Sequence, residues 1–234
     1  PRAVCASLGL QLKDIPDWSC CGSTPAHTVD HVLSAALSAR NLSLAESMDV
    51  DAVITPCPSC LTNLKVAGHR MEAQSFKHKV NALLEQPCAN TLQTKSVLQA
   101  LVEDYGVEHI QDAVAKPLKG LKVVPYYGCI MNRPPEVMDF DDPENPTAMD
   151  RILSALGAEV LAGQDEVPRI PGEVDRPLDG TIRLSRNIRF YTMSGRTPGT
   201  TALYFKHWPS MLFLGPVLEP GDGGWATLVP HADD

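Results

Sequence analysis

The sequence lacks an apolar run long enough to cross a membrane. Its longest apolar stretch, Trp208–Leu218, is interrupted by Pro209, Ser210 and Pro216, whereas a membrane-spanning helix needs about 20 apolar residues. An excess of basic residues is also absent: 20 Lys and Arg stand against 28 Asp and Glu, which gives a formal net charge of −8. This charge argues against a nucleic-acid surface. With 44% hydrophobic and 21% charged residues, the composition is that of a soluble globular protein.

The cysteine pattern of a secreted protein is missing as well. The 234 residues contain seven cysteines, an odd number, and none lies after Cys129. We expect no secretion signal, and we expect free thiols in a reducing cytoplasm rather than a disulfide framework. The chain begins at Pro1, inside a helical pattern and without methionine, which predicts that N-terminal residues are missing. The length suits one large domain or two small ones.

Four of the cysteines form two closely spaced groups. Cys20 and Cys21 are adjacent and precede Gly22, while Cys57 and Cys60 form a CxxC pair. Thiolates are soft ligands that select iron–sulfur clusters, zinc or copper(I). Neighbouring side chains rarely chelate one tetrahedral ion together, but they can reach different metals of one cluster. The pattern therefore favours a polynuclear iron–sulfur centre over a single zinc ion.

Simpler interpretations of the cysteines remain open. A CxxC pair is also typical of a structural zinc half-site or a redox dithiol, and all four thiols could close a zinc site in a non-enzymatic module. Cys5 and Cys88 have no partner at motif spacing. Because free cysteine is usually buried, we expect these two to be structural core residues.

The surrounding pattern predicts an α/β fold with short parallel strands and helices. Apolar residues recur at helical spacing over residues 28–48, which indicates one long helix or two short ones. Asp51–Thr55 is a short strand, and Pro58 suits the first position of the helix that follows. Cys57 and Cys60 would then lie at a helix N-terminus, where the macrodipole stabilises thiolate.

Residues next to the cysteine pair have expected roles too. Trp18 would form an apolar wall beside the thiols, and solvent exclusion tunes the potential of a cluster. Gly22 would let the backbone come close to whatever the thiols hold. His27 and His31 flank the start of the next helix, and we expect solvated or capping histidines there rather than hydrogen bonds to a cluster sulfur.

The sequence pattern predicts that the chain begins a second copy of its first part. Ala3–Leu12 (AVCASLGLQL) and Arg151–Val160 (RILSALGAEV) both read as a helix end, Leu-Gly and a strand. Upstream of the second copy, the strand Leu121–Tyr127 runs into Gly128 and Cys129. These patterns predict a first repeat over residues 1–117, lacking its opening strand and cysteine, and the start of a second over 118–161.

Residues 162–234 do not continue this pattern. From Gly163 onward the sequence contains no cysteine and eight prolines. A small β-rich domain, a disordered tail and a stretch read out of frame are the alternatives. The absence of clear alternation or helical repeats favours the last two, and thus an irregular C-terminal segment.

Residues Cys5–Leu161 closely resemble the B subunit of heterodisulfide reductase, a protein of the cysteine-rich CCG family. The resemblance rests on the segments DWSCCGST, ARNLSLAE, CPSCLTNL, LKVVPYYGC and FDDPENPTAMDRILSALGAEV. It implies an α/β protein in which each complete repeat binds a noncubane four-iron four-sulfur cluster through five cysteines. By position, the implied ligands of the first cluster are Cys20, Cys21, Cys57 and Cys60. Cys129 would be the opening ligand of a second, incomplete cluster.

The resemblance also implies a reaction and partners. Family members reduce the disulfide between coenzyme M and coenzyme B, with electrons that arrive from the iron–sulfur C and A subunits of heterodisulfide reductase. Similar repeats occur in glycolate- and lactate-oxidising iron–sulfur subunits and in quinone-linked anchors, where they transfer electrons. The DDPENP and GCIMNRPP segments favour the disulfide reductase branch. An inactive fragment is the remaining alternative.

Overall fold

In the computed structural model of the protein, the described residues are 1–23, 26–169, 174–192, 200–214, 218–220 and 226–228. The chain divides into two compact units. The first comprises Pro1–Ala115 and Tyr127–Ile152, and the second comprises Lys116–Tyr126 and Leu153–Asp234. The boundaries that the sequence suggests, after residues 117 and 161, stay a prediction.

The first unit combines helices with a two-stranded parallel sheet. Its elements in chain order are α1 (Arg2–Ser7), α2 (Ala26–Val29), α3 (His31–Glu46), β1 (Ala52–Thr55), α4 (Pro58–Met71), α5 (Gln74–Asn81), β2 (Gln93–Ser96), α6 (Val97–Gln99), a π-helical segment (Ala100–Gly106), α7 (Val107–Asp112), a 3-10 turn (Cys129–Met131), α8 (Pro135–Met138) and α9 (Ala148–Ala155), whose last turn falls in the second unit. Strand β1 pairs with β2 in parallel, from Ala52 opposite Gln93 to Thr55 opposite Ser96.

Asp30 separates two helices where the sequence allowed either one or two. Its backbone is extended, and its carboxylate accepts hydrogen bonds from the Val32 N–H at 2.7 Å and the Leu33 N–H at 3.0 Å. The backbone N–H of Leu33, followed in effect by that of Val32, holds the pKa of Asp30 below its ordinary value. Asp30 is therefore the N-cap of α3, and α2 ends before it.

The core of the first unit lies mainly between α3 and α4. The helix α3 contributes mostly alanines, and α4 contributes larger side chains such as Leu64 and Met71. Small residues on one helix leave room for the large residues of its neighbour, which gives dense packing. Cys88 belongs to this core at 1% exposure, and Cys5 is 4% exposed. The prediction that both are buried cysteines is confirmed.

The second unit is built from strands. Its elements in chain order are β3 (Lys122–Val123), β4 (Glu159–Gly163), a 3-10 segment (Gln164–Arg169), β5 (Arg176–Leu178), β6 (Thr181–Arg183), β7 (Ile188–Thr192), β8 (Thr201–Phe205), β9 (Met211–Phe213), β10 (Leu218–Pro220) and β11 (Ala226–Leu228). The order β3-β4-β5 is parallel, β6-β7-β8-β9 is antiparallel, and β10 pairs with β11.

The α/β class with short parallel strands is thus confirmed. After residue 162, the described residues include the parallel strand β5 and then the antiparallel strands from β6 onward, with Phe190 of β7 and Ala202 of β8 buried. This is the β-rich alternative, which the sequence pattern favours less than disorder or a change of reading frame. These strands are short, and their alternation is weak in the sequence because β7 and β8 each bury one side chain while β6 and β9 bury none.

The two helix ends that resemble each other in sequence also have the same hydrogen-bond pattern. After α1, the Leu10 N–H donates to Cys5 O at 2.8 Å and Gly9 has a φ of 74°. After α9, the Ala158 N–H donates to Leu153 O at 3.1 Å and Gly157 has a φ of 82°. Both are Schellman endings, in which a glycine adopts the left-handed conformation. The predicted internal repeat itself stays a prediction.

Among the described residues, the longest helices are too short or too polar to cross a membrane.

Gly22 adopts a φ of 86° and lies against α3, where a Cβ would be 2.8 Å from Ser34 O. We expect Gly22→Ala to lower the free energy of unfolding by about 1–2 kcal/mol through left-handed strain and by about 1–3 kcal/mol more through the collision. Gly9→Ala is the matched control, because Gly9 has a similar φ but no atom within 4 Å of a Cβ. Urea unfolding of both variants measures the difference, and equal losses would contradict the close approach.

Candidate metal centre

The CxxC pair lies where β1 ends and α4 begins. Cys57 is the N-cap of α4, Pro58 is its first residue, and the Leu61 N–H donates to Cys57 O at 2.9 Å. The backbone N–H of Cys60 lowers the pKa of the Cys57 thiol most, followed by the Cys60 side chain. The predicted strand, turn and helix around the CxxC pair are therefore confirmed. A helix start of this kind favours anionic sulfur.

The turn that carries Cys20 and Cys21 is held by one face of α3. Asn41 accepts from the Ser19 N–H at 2.8 Å and donates to Ser19 O at 3.0 Å. One turn earlier on α3, Ser38 Oγ donates to Cys21 O at 2.6 Å. Ser38 is fully buried and Asn41 is 7% exposed. The backbone on both sides of Cys20 is thus fixed by hydrogen bonds from the same helix.

Three of the predicted ligands come together. The sulfurs of Cys21 and Cys60 are 3.0 Å apart, although 39 residues separate them in sequence. The Cys57 thiol lies near enough to Cys60 to affect its pKa. Burial, followed by the neighbouring Cys21 and Cys57 thiols, raises the pKa of Cys60 to about 12. Without a metal, Cys60 is therefore a neutral thiol between two other sulfurs.

The other two predicted ligands are placed differently. Cys20 is exposed, whereas its neighbour Cys21 is 7% exposed, which agrees with adjacent side chains pointing in different directions. Cys129 begins the 3-10 turn Cys129–Met131, and its side chain lies outside the described residues. The five predicted ligands therefore comprise two thiols in contact (Cys21 and Cys60), two exposed thiols (Cys20 and Cys57) and one position, Cys129, known from its backbone alone.

The thiols have the chemistry of ligands to a soft metal. The distance between their sulfurs, however, does not match a bound metal. Within the described part of the chain, no three His, Cys, Asp or Glu side chains are arranged to hold a metal ion. Two thiolates on one tetrahedral zinc lie about 3.8 Å apart, given Zn–S bonds of about 2.3 Å. The Cys21 and Cys60 sulfurs, at 3.0 Å, would have to move apart to bind either an ion or a cluster.

The turn that begins at Cys129 is tied to the loop before α9. Asn132 Nδ2 donates to Asp142 O at 3.0 Å, and Arg133 Nε donates to Pro143 O at 2.8 Å. On the other side of Cys129, the Tyr127 hydroxyl accepts from the Met149 N–H at 2.8 Å. The GCIMNRPP and DDPENP segments, both of which support the family resemblance, are thus bonded to each other.

Sequence reasoning missed the residues that hold the cysteine turn and misplaced one neighbour. Ser38 and Asn41 hold this turn and Ser34 lies next to Gly22. The three residues are at i, i+4 and i+7 on α3, and this polar stripe between alanines was the available signal. Trp18 is 70% exposed, so the prediction of an apolar wall was wrong: the backbone at Asp17 and Ser19 is fixed to α3, which leaves the indole outside. His27 and His31 are exposed, as expected.

A model of the CCG family, described as a cysteine-rich domain, matches residues 2–65. This segment contains Cys20, Cys21, Cys57 and Cys60. Each of them lies in one of the two cysteine turns that α3 and α4 bring together. The matched segment therefore includes both cysteine turns.

The similarity to known proteins extends beyond that domain. The chain is 36% identical over 163 residues to the membrane anchor subunit of 8-methylmenaquinol:fumarate reductase from Wolinella succinogenes. It is 34% identical over 167 residues to a protein of Archaeoglobus profundus described as similar to the heterodisulfide reductase B subunit. It is 28% identical over 165 residues to the B subunit of the ferredoxin:CoB-CoM heterodisulfide reductase from Methanosarcina mazei.

Each of these matches covers 68% of this chain and 54–56% of the relative. The chain thus spans about half the length of these relatives, whose names all refer to reductase subunits. Residues 2–65 match the model of the CCG cysteine-rich domain, and the predicted resemblance of the chain to the B subunit of heterodisulfide reductase is confirmed.

Proposed function

We propose that this chain is an iron–sulfur subunit that transfers electrons within a multisubunit oxidoreductase. The observation that carries the proposal is the contact between Cys21 and Cys60, which come from two distant turns and have their sulfurs 3.0 Å apart. Cysteine thiolates are the usual ligands of iron–sulfur clusters. The CCG domain match and the reductase names of the relatives support the same function.

In this proposal, Cys20, Cys21, Cys57 and Cys60 hold one noncubane four-iron four-sulfur cluster, and Cys129 is the opening ligand of a second. When bound, such a cluster supplies one-electron chemistry. The chain contributes orientation and electrostatics. Its α3 residues fix the backbone around Cys20 and Cys21, and the first N–H groups of α4 stabilise negative charge on Cys57.

The proposed reaction is reduction of the coenzyme M–coenzyme B disulfide, with electrons from the C and A subunits of heterodisulfide reductase as partners. Two of the three relatives have heterodisulfide reductase in their names. The hydrogen bonds between the GCIMNRPP and DDPENP segments support the assignment, since these two segments favour this branch. The abundance of free thiols supports a cytoplasmic location.

A second candidate is electron transfer in a quinone-linked reductase. The match at 36% identity is to a membrane anchor subunit of an 8-methylmenaquinol:fumarate reductase, and this observation favours it. Because the chain spans about half of each relative, either activity is proposed for a complex and not for this chain alone. Both candidates use the same sulfur ligands.

We expect the full chain, purified anaerobically, to contain about four irons with as many acid-labile sulfides. Cys21→Ser and Cys60→Ser should each lose most of this iron, because both sulfurs lie at the point of convergence. Cys88→Ala is the control, since Cys88 is buried in the core of the unit, apart from the two cysteine turns. Iron, zinc and sulfide analyses with electron paramagnetic resonance measure the outcome. Full iron content in Cys60→Ser, or one zinc and no iron in the parent chain, would contradict the proposal.

Asn41 should affect the cluster through the backbone that it holds. A second asparagine makes the same clamp elsewhere: Asn81 accepts from the Cys88 N–H at 3.0 Å and donates to Cys88 O at 3.2 Å. We expect Asn41→Ala and Asn81→Ala to cost similar stability, about 1–3 kcal/mol, because each leaves backbone groups unsatisfied. Only Asn41→Ala should also lower the iron content per folded chain. Equal iron content in the two variants would show that the clamp on Ser19 is merely structural.

The two candidate reactions predict different oxidants for the reduced chain. We expect the dithionite-reduced, iron-loaded protein to be reoxidised by the coenzyme M–coenzyme B disulfide faster than by a menaquinone analogue. Loss of the reduced-cluster signal in stopped-flow spectra gives both rates, and the Cys21→Ser variant gives the background. The reverse order of rates would favour the quinone-linked candidate, and background rates with both oxidants would exclude direct reaction with either.

A further inference from the structure

A cleft of about 300 Å³ lies in the first unit beside the two cysteine turns. One wall follows α4, where Ser59, Asn63 and Arg70 line it, and the other wall includes His27 and His31 from α2 and α3. Volumes of about 300–1,000 Å³ are usual for sites that bind small molecules. The cleft is therefore large enough for a small ligand, at the lower end of that range.

The lining of the cleft is unusual for so acidic a chain. The sequence has 28 Asp and Glu residues and a formal net charge of −8, yet none of the described residues lining the cleft is acidic. Arg70 carries a permanent positive charge and a planar set of donors. The carboxylate of Asp30, next to His31, accepts from the N–H groups at the start of α3. Among the described residues that line the cleft, Arg70 is thus the one with a permanent charge, and that charge is positive.

The floor of the cleft is apolar. Ala35 and Ala67 line it and are 4% and 2% exposed, and Ile130 contributes a side chain from the 3-10 turn that begins at Cys129. A small site with an apolar floor and a few convergent polar groups is typical of organic ligands. Arginine binds carboxylate and phosphate groups through paired hydrogen bonds. A short organic acid matches both the charge and the shape of this lining.

The cleft also adjoins the cysteines along the chain. Ser59 lies inside the CxxC pair, and Ser23, which also lines the cleft, follows Cys21 by two residues. We infer that the cleft binds a small organic acid through its carboxylate or phosphate group, beside the sulfur ligands. The role of this acid as the electron acceptor or donor rests on the proposed function, whereas its binding does not.

Binding can be measured on the full chain, purified anaerobically, with two defined probes. Succinate tests recognition of a carboxylate, inorganic phosphate tests recognition of a phosphate, and succinamide is the neutral match for succinate. We expect one or both anions to shift the amide resonances of residues 59–70, and succinamide to leave them unchanged. The anion with the lower dissociation constant identifies the group that the cleft prefers. Shifts caused equally by succinamide, or by none of the probes, would overturn the inference.

Arg70→Gln provides the test at the residue level. Arg70 is exposed, so its loss should not prevent folding. We expect the variant to bind the preferred anion about tenfold more weakly, because a charge-assisted contact is lost. Arg151→Gln removes the same charge from an exposed position on α9 that does not line the cleft, and it should bind like the parent. Equal weakening by both variants would mean that only net charge attracts the anion.

Metal analysis of the same samples separates this inference from the proposed function. Iron-loaded protein that binds neither anion would refute the acid site and leave the iron–sulfur function standing. Iron-free protein that binds an anion, with the loss in Arg70→Gln, would support the acid site and count against the cluster. Iron with anion binding supports both.

Discussion

The hydrogen bonds from α3 to the backbone around Cys20 and Cys21 are the constraint on which the site depends. Asn41 satisfies both backbone groups of Ser19, and Ser38 satisfies the carbonyl of Cys21. These donors and acceptors are buried or partly buried, and an unmade hydrogen bond in a buried place costs about 1–3 kcal/mol. Because α3 packs directly on α4, fixing the turn to α3 also places it beside the CxxC pair. The meeting of the sulfurs thus follows from the packing of two helices.

The two cysteines of the CxxC pair are electrostatically unlike. Cys57 is exposed and lies against the first N–H groups of α4, so its pKa is lowered. Cys60 is half-buried beside two other sulfurs, so its pKa is raised. At the start of α4, therefore, one cysteine sulfur is easily ionised and another, three residues later, is ionised with difficulty.

Sequence reasoning succeeded where local rules decide the structure. A strand, a proline at the first helical position and an apolar helical pattern were enough to place Cys57 and Cys60. It failed for Trp18, because its exposure depends on where α3 holds the neighbouring backbone. The Ser34, Ser38 and Asn41 stripe was also missed, since buried polar residues at helical spacing have the same pattern as a solvent-facing side. The cleft was missed because its walls come from separate helices, and no single segment encodes it.

The high proton affinity of Cys60 links assembly of the site to acidity. With a pKa of about 12, this thiol keeps its proton at neutral pH. A metal bound as proposed would have to displace that proton, so its affinity would rise with pH. At the half-buried sulfur of Cys60, metal loading and proton release would then be one coupled event.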